Sequence, residues 1–259
     1  MTAPEPAQRR RLAPLADVAR GVSRFLLGLV YPPTCIACQG ATGAPHALCA
    51  TCWSGIRFID RPYCERLGTP FSVDLGMPLH SPAALADPPV FGRARAVAEY
   101  DGIASALVHR LKYGDRLELA RALGSMMARA GAELLGDTDV IVPVPLHRFR
   151  LWQRRFNQAM ALAAVVARDS GLPCDPFLLS RVKRTRQQVG LTKAQRQQNL
   201  QGAFRVSDDV RARLQDKRVL LIDDVLTTGA TANAASRALL RGGAASVDIL
   251  AFARVVTER

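Results

Sequence analysis

The chain has 259 residues, of which 49% are apolar and 22% charged, with 35 Lys/Arg against 22 Asp/Glu. That composition excludes a disordered polyelectrolyte and leaves room for one large core plus a small appendage. The formal charge of +13 directs attention to anionic partners, polyphosphate or nucleic acid, without choosing between them.

Residues 1–34 read as a basic arm that ends in a helix. The apolar run Phe25 to Tyr31, with Leu15, Val18 and Val22, is far shorter than a membrane span and fits an amphipathic helix. Arg9 to Arg11 precede it, but no A-x-A cleavage pattern follows, so a signal peptide is not indicated and the protein is expected to be cytoplasmic.

Residues 35–90 open with two C-x-x-C pairs, Cys35/Cys38 and Cys49/Cys52, separated by ten residues. Each pair can grip one tetrahedral ion from a tight turn, so four thiolates at this spacing predict a closed structural zinc site with no open position for catalysis. Two disulfides or four free thiols are the alternative, disfavoured in a reducing compartment. His46 lies between the pairs, either as a substitute ligand or as an ordinary loop residue. Cys64 is left over, and Cys174 reads as a packed small hydrophobe. Pro62, Pro70, Pro78, Pro82, Pro88 and Pro89 then predict irregular structure and a linker.

The remainder, 91–259, alternates strand and helix patterns. Strands are expected at Ala96–Tyr100, Asp139–Pro145, Lys217–Asp224 and Ser246–Val255. Helices are expected at Ile103–Leu111, Leu117–Leu135, Asn157–Ser170, Thr192–Leu200 and Thr231–Arg241. Thr192/Gln195 forms a capping box, and Gly242-Gly243 stops the last helix. The alternation predicts an α/β fold with a mainly parallel sheet flanked by helices, ligands binding at the strands' carboxyl ends.

The most specific stretch is Val219-Leu-Leu-Ile-Asp-Asp-Val-Leu-Thr-Thr-Gly-Ala-Thr231. An uninterrupted apolar run marks a strand buried on both faces. Asp223 and Asp224 follow it, then Thr227, Thr228, Gly229, Ala230 and Thr231 lead into a helix. The turn offers backbone N–H groups, hydroxyls and a helix N-terminus to a phosphate, and Gly229 permits φ > 0. Two carboxylates beside a phosphate suit a vicinal diol or a metal, and a ribose 5-phosphate satisfies both halves. The plain alternative is a strand ending in a polar turn with Thr231 as N-cap. No P-loop and no strand-linked G-x-G-x-x-G competes.

A second buried strand breaks at Pro143-Val144-Pro145-Leu146-His147, a rigid loop suited to cradling an anion. Arg148, Arg150, Arg154 and Arg155 follow, then Phe156-Asn157-Gln158. Between Arg181 and Arg218 eleven Lys/Arg face three acids, a basic surface that is either solvated or a docking face.

The 219–231 segment resembles the 5-phosphoribosyl-1-pyrophosphate (PRPP) motif of type I phosphoribosyltransferases. The resemblance implies that Asp223 and Asp224 hold the ribose 2- and 3-hydroxyls, while Thr227 to Thr231 wrap the 5-phosphate and the Pro143–His147 loop meets the pyrophosphate. With the cysteine knuckle, Leu111-Lys112-Tyr113, Arg155-Phe-Asn-Gln158, Gln188 and Arg196 to Asn199, nearly the whole chain resembles the ComF-type competence proteins. Two positions depart from that family. Arg155 stands where a glycine is common, and Leu67 stands where Cys64 would have a partner, so a second zinc is not expected.

The resemblance implies a Mg²⁺-dependent displacement of pyrophosphate at ribose C1, linked to DNA uptake in natural transformation. Asp223, Asp224, Lys112, Arg154 and Arg155 are the candidate catalytic residues. Lys112, Arg154 and Arg155 would stabilise leaving charge, or else stand as surface charges. Residues 185–199 lie where a mobile flap would serve. No general base and no acceptor-recognition loop can be read. A PRPP sensor without turnover and a single-strand DNA accessory protein, with a helicase-type partner, therefore stand as the other readings.

Overall fold

The structure, a computed structural model, describes residues 32–74, 76–113, 117–147, 151, 156–183 and 199–256. The basic arm up to residue 31, the Thr192/Gln195 capping box, Gln188, Arg196, the bulk of the flap segment and Arg148, Arg150, Arg154 and Arg155 lie outside the described residues. The chain divides into two compact units, Met1–Ala50 and Thr51–Arg259.

The larger unit is built on a four-stranded sheet. β1 (Ala94–Glu99), β2 (Val140–Pro143), β5 (Arg218–Leu226) and β6 (Ser246–Arg254) lie in the order β1-β6-β5-β2, every pair parallel. A parallel sheet is covered on both faces, which is why β5 carries Val219 to Ile222 as an unbroken apolar run, with Leu220, Leu221 and Ile222 fully buried. α3 (Gly102–Tyr113), α4 (Leu117–Ala130), α6 (Gln158–Ser170) and α8 (Ala230–Arg241) supply the covering helices.

Short elements complete the chain: α1 (Ala50–Ser54), α2 (Pro82–Ala86), α5 (Ala132–Leu135), α7 (Asp208–Leu214) and the two-residue hairpin strands β3 (Ser180–Arg181) and β4 (Phe204–Arg205). Among the described residues, no helix is long and apolar enough to cross a membrane.

The fold departs from the sequence expectations in several places. The helix expected over 117–135 breaks at Gly131, which packs closely on the sheet: an added Cβ would meet the Leu250 side chain at 2.6 Å and force it to shift. β5 does not end at Asp224 but runs on to Leu226, because Val225 and Leu226 pair with Ala253 and Arg254 of β6. The helix after the Thr227–Gly229 turn starts at Ala230 with Gly229 as its N-cap, not at Thr231.

The proline-rich stretch after residue 56 is not free linker. Ile59 N donates to Val97 O at 3.0 Å and Glu99 N to Arg57 O at 2.9 Å, so residues 57–59 run along the outer side of β1. Ala94 N donates to Arg66 O at 2.9 Å. α2 is a turn of helix capped by Ser81, whose Oγ accepts from Ala84 N.

Arg95 anchors the same region. It points from β1 between Glu65 and Glu133, is 3% exposed, and lies over the Tyr63 ring at 4.5 Å. A guanidinium so enclosed is tolerable only because two carboxylates and two carbonyls, those of Glu65 and Ala94, take its donors.

Candidate functional site

The acid pair sits at the carboxyl end of the central strand. Register with β6 carries β5 through Asp223, Asp224 and Val225, so both carboxyls are held on strand rather than on loop. Asp223 Oδ1 accepts from the Asp224 backbone N–H at 2.9 Å, and Asp224 Oδ2 is 3.3 Å from Lys112 Nζ. Lys112 comes from the last turn of α3, and its carbonyl accepts from the buried Gln158 side chain at the start of α6.

Enclosure by protein pushes the Asp223 carboxyl up to about 7, and the charge of Asp224 adds to the rise. The Asp224 N–H, Lys112 and Arg181 oppose it. The charge of each neighbouring carboxyl disfavours the other's, so the pair resists carrying two charges without a cation or hydrogen-bond donor.

The turn after the pair has the conformation its sequence asks for. Gly229 adopts φ 76° and ψ 1°, a left-handed backbone that a side chain would strain, and α8 begins at the next residue. Thr227 and Thr228 are exposed, whereas Gly229 and Thr231 are half-buried. The turn is braced from below: Asn233 N donates to Gly229 O at 2.8 Å, and Asn233 Oδ1 accepts from Val90 N at 2.8 Å. The N-terminus of a 12-residue helix thus opens onto an exposed, hydroxyl-bearing turn, the arrangement that favours a phosphate.

Beside the acid-bearing strand lies the second loop. Pro143 ends β2 as a strand residue, and buried Val144 still donates to Ile222 O at 2.9 Å, so the loop departs alongside the acid-bearing strand. Pro145, Leu146 and His147 are half-buried. Asn157 fixes the return of the chain: its side chain caps α6 by accepting from Ala159 N and donates to Val144 O at 3.1 Å. Lys112, Asp223, Asp224 and the loop at Pro143 are therefore gathered at one end of the sheet.

Sequence reasoning missed Arg181, Phe91 and Asn233. Arg181 stands on β3 with its guanidinium 5.3 Å from the Phe204 ring centre and acts on Asp223 through charge. A two-residue strand leaves no periodicity to read. Phe91, 1% exposed and close to Gly229, and Asn233, one helical turn on, carry no motif.

The cysteine knuckle is also assembled. The sulfurs of Cys35, Cys38, Cys49 and Cys52 all lie within 4.8 Å of one another, and those of Cys38 and Cys49 are 3.7 Å apart. Tetrahedral zinc with bonds of about 2.3 Å separates its sulfurs by about 3.8 Å, so the donor set fits that ion. No disulfide joins any cysteine.

Burial would raise the Cys35 thiol, yet N–H groups of Cys38, Cys49 and Ala37 outweigh it and bring it down to about 6. N–H groups aimed at sulfur stabilise the thiolate that a metal requires. His46, at φ 60°, is not among the gathered donors.

Cys64 differs. Its sulfur is fully buried and accepts from Leu67 N at 3.4 Å and Ser81 N at 3.2 Å. The turn keeps a knuckle's backbone bonds, Gly68 N to Cys64 O and Cys64 N to Thr69 O. Arg254, 8% exposed, donates to Leu67 O and is pulled down to about 10 by burial, the charge of Cys64 opposing that fall. One sulfur beside Leu67 and an arginine does not fit a second zinc. Cys174 is half-buried beside β2, where burial pushes its thiol up, consistent with a packing role.

Comparison with known proteins matches residues 26–82 to the Double zinc ribbon domain family and residues 158–258 to the Phosphoribosyl transferase domain family. The DNA utilization protein YhgH of Escherichia coli (strain K12) is 31% identical over 236 residues, 88% of this chain and 100% of that protein. Competence protein F of Haemophilus influenzae is 30% identical over 226 residues, 85% of this chain and 96% of that one. Competence protein ComFC of Bacillus subtilis is 28% identical over 217 residues, covering 80% and 84%.

Among solved structures, the glutamine PRPP amidotransferase from B. subtilis complexed with ADP and GMP is 21% identical with a TM-score of 0.38. That match covers 55% of this chain, which spans about 30% of the length of that one.

Proposed function

The chain belongs to the ComF family of competence and DNA-utilization proteins, and from that premise we propose that the site at the end of β5 binds PRPP and transfers its phosphoribosyl group with release of pyrophosphate. The observation that carries this reading is the juxtaposition of the Asp223–Asp224 pair with the left-handed Gly229 turn opening α8. The carboxylates accept hydrogen bonds from the ribose 2- and 3-hydroxyls. Thr227, Thr228 and the N–H groups of Gly229, Ala230 and Thr231 donate to the 5-phosphate. Lys112 holds the charge of Asp224 until ligand arrives.

Mg²⁺, when bound with the ligand, supplies hard oxygen-seeking charge to the pyrophosphate and ribose oxygens. The Pro143–His147 loop, with Arg154 and Arg155, receives the pyrophosphate. The C1–O bond breaks with its electron pair leaving on pyrophosphate, and an acceptor nucleophile adds at C1.

Calorimetric titration of zinc-loaded protein with PRPP and Mg²⁺ tests this, wild type beside Asp223→Asn/Asp224→Asn. The expected result is binding by the wild type that weakens at least about a hundredfold in the variant, since two charge-assisted acceptors of a diol are lost. Equal binding by both, or none by either, overturns the reading. A second reading is PRPP binding without turnover, favoured by Lys112, whose amine is already engaged by Asp224 at 3.3 Å. Pyrophosphate release measured with and without added amines or nucleobases separates the two.

A further inference from the structure

A double zinc ribbon over residues 26–82 implies two metal lobes, and the second of them falls on Cys64. The backbone there is folded as a metal-binding turn would be. Gly68 N donates to Cys64 O at 2.7 Å, Cys64 N to Thr69 O at 2.8 Å and Leu67 N to Cys64 Sγ at 3.4 Å. A second arm is in place as well: Leu79 bridges Cys64, its carbonyl accepts from Glu65 N at 2.9 Å, and Ser81 N donates to the sulfur at 3.2 Å. The ligands that a metal needs are missing. Leu67 packs against the core of the sheet domain, Leu79 is aliphatic and His80 is exposed. Among the described residues, no three Cys, His, Asp or Glu groups gather around Cys64.

Two buried groups complement each other at this lobe. The Cys64 sulfur is 0% exposed. Burial would raise its thiol, but the Ser81 hydroxyl and the N–H groups of Ser81, Leu67 and Arg66 outweigh it and bring the thiol below its ordinary range. Arg254, at the end of β6, is 8% exposed, and its guanidinium donates to Leu67 O, the carbonyl of the residue whose N–H meets the sulfur. Its buried Nε has no hydrogen-bond partner among the described residues, and the charge that acts on it is that of Cys64. The neighbouring acid, Glu65, is turned to Arg61 and Arg95. A buried cation without an anion is costly, and so is a buried anion without a cation.

We propose that the second lobe of the ribbon holds no metal and is closed by an ion pair, the Cys64 thiolate balanced by the guanidinium of Arg254. The pair changes what the lobe is joined to. A zinc ion would cross-link the two arms of the lobe to each other. Arg254 joins them instead to the sheet, on a strand where it pairs with Leu226, two residues beyond Asp224. The lobe is thereby part of the sheet domain and indifferent to chelators. The ion pair stands whatever ligand the Asp223–Asp224 site takes.

The test is a pH titration of ultraviolet thiolate absorbance on the full zinc-loaded chain. Each protein is read against its Cys64→Ala counterpart, so that the zinc-bound thiolates cancel. Wild-type, Arg254→Lys and Arg254→Met backgrounds are compared. In wild type the Cys64 band is expected at neutral pH, below the ordinary thiol range. Arg254→Met moves the titration up by at least about one pH unit, a tenfold weaker hold on the ionised form, and Arg254→Lys, which keeps the charge, moves it less. Denaturant midpoints give a second measurement: Cys64→Ala lowers the midpoint clearly less in the Arg254→Met background than in wild type, because no pair is left to break. Should Arg254→Met fold poorly, the wild-type band decides alone.

No Cys64 band at neutral pH overturns the proposal. So does a titration unmoved by Arg254→Met, an equal loss of midpoint in both backgrounds, or a second zinc ion bound by the wild type.

Discussion

Two places in this molecule gather acidic ligand groups, and they are prepared in opposite ways. At the cysteine knuckle, N–H groups point at the sulfurs and Cys35 is held down to about 6, so the protein favours the anion. At the end of β5 the surroundings raise Asp223 to about 7, so the protein favours the proton. The first is built for a positive charge that stays. The second can go without one: a proton on Asp223 and Lys112 beside Asp224 balance the pair. At Cys35 the N–H donors win; at Asp223 enclosure and the charge of Asp224 outweigh the one N–H donor.

Removing zinc is the strongest way to break this contrast. Binding free energy at a structural site of four cysteines is folding free energy, on the order of 10 kcal/mol. Chelation, or Cys38→Ser, is expected to unfold the knuckle and leave the sheet domain's far-UV dichroism largely in place. The metal content of native protein should be one zinc per chain. Two would mean that the Cys64 lobe recruits donors its geometry does not show.

A pH titration of stability sharpens the other side. Asp223 titrates near 3.8 as a free side chain and at about 7 in the fold. Between those values the folded state keeps a proton that the unfolded chain has released. The contribution is therefore greatest below pH 3.8, falls as pH rises through that window, and levels off above about 7. The expected loss is on the order of 2–4 kcal/mol, the carboxyl being partly exposed. Denaturant unfolding of wild type and Asp223→Asn measures it. The difference between the two curves should carry this slope, and a flat difference would mean that both carboxylates are comfortably charged.

The smallest effect is expected at Cys64. Cys64→Ala leaves the N–H groups of Leu67 and Ser81 without an acceptor, costing about 1–2 kcal/mol while zinc content stays the same. Zinc lost with that sulfur would erase the distinction between the two lobes.

What was legible in the sequence follows the range of the interactions. The Asp223–Thr231 turn and the C-x-x-C pairs were readable because neighbours in sequence create them: strand, acids, glycine and helix start follow in order, and each thiol pair spans one turn. The extension of β5 to Leu226 was not, since β6 decides it. Neither was Arg95, whose partners Glu65 and Glu133 lie 30 and 38 residues away and give no local pattern.

The strip of chain laid along β1 by Arg57, Ile59 and Arg66 has a practical consequence. On its other side β1 has β6, so among the described residues this strip is what closes the edge of the sheet. A shortened chain beginning at Ala94 would uncover a six-residue strand, five of its residues buried in the intact protein, with its N–H and C=O groups ready to recruit a second molecule. Trimming the cysteine-bearing half to isolate the sheet domain should therefore yield a protein that self-associates edge to edge.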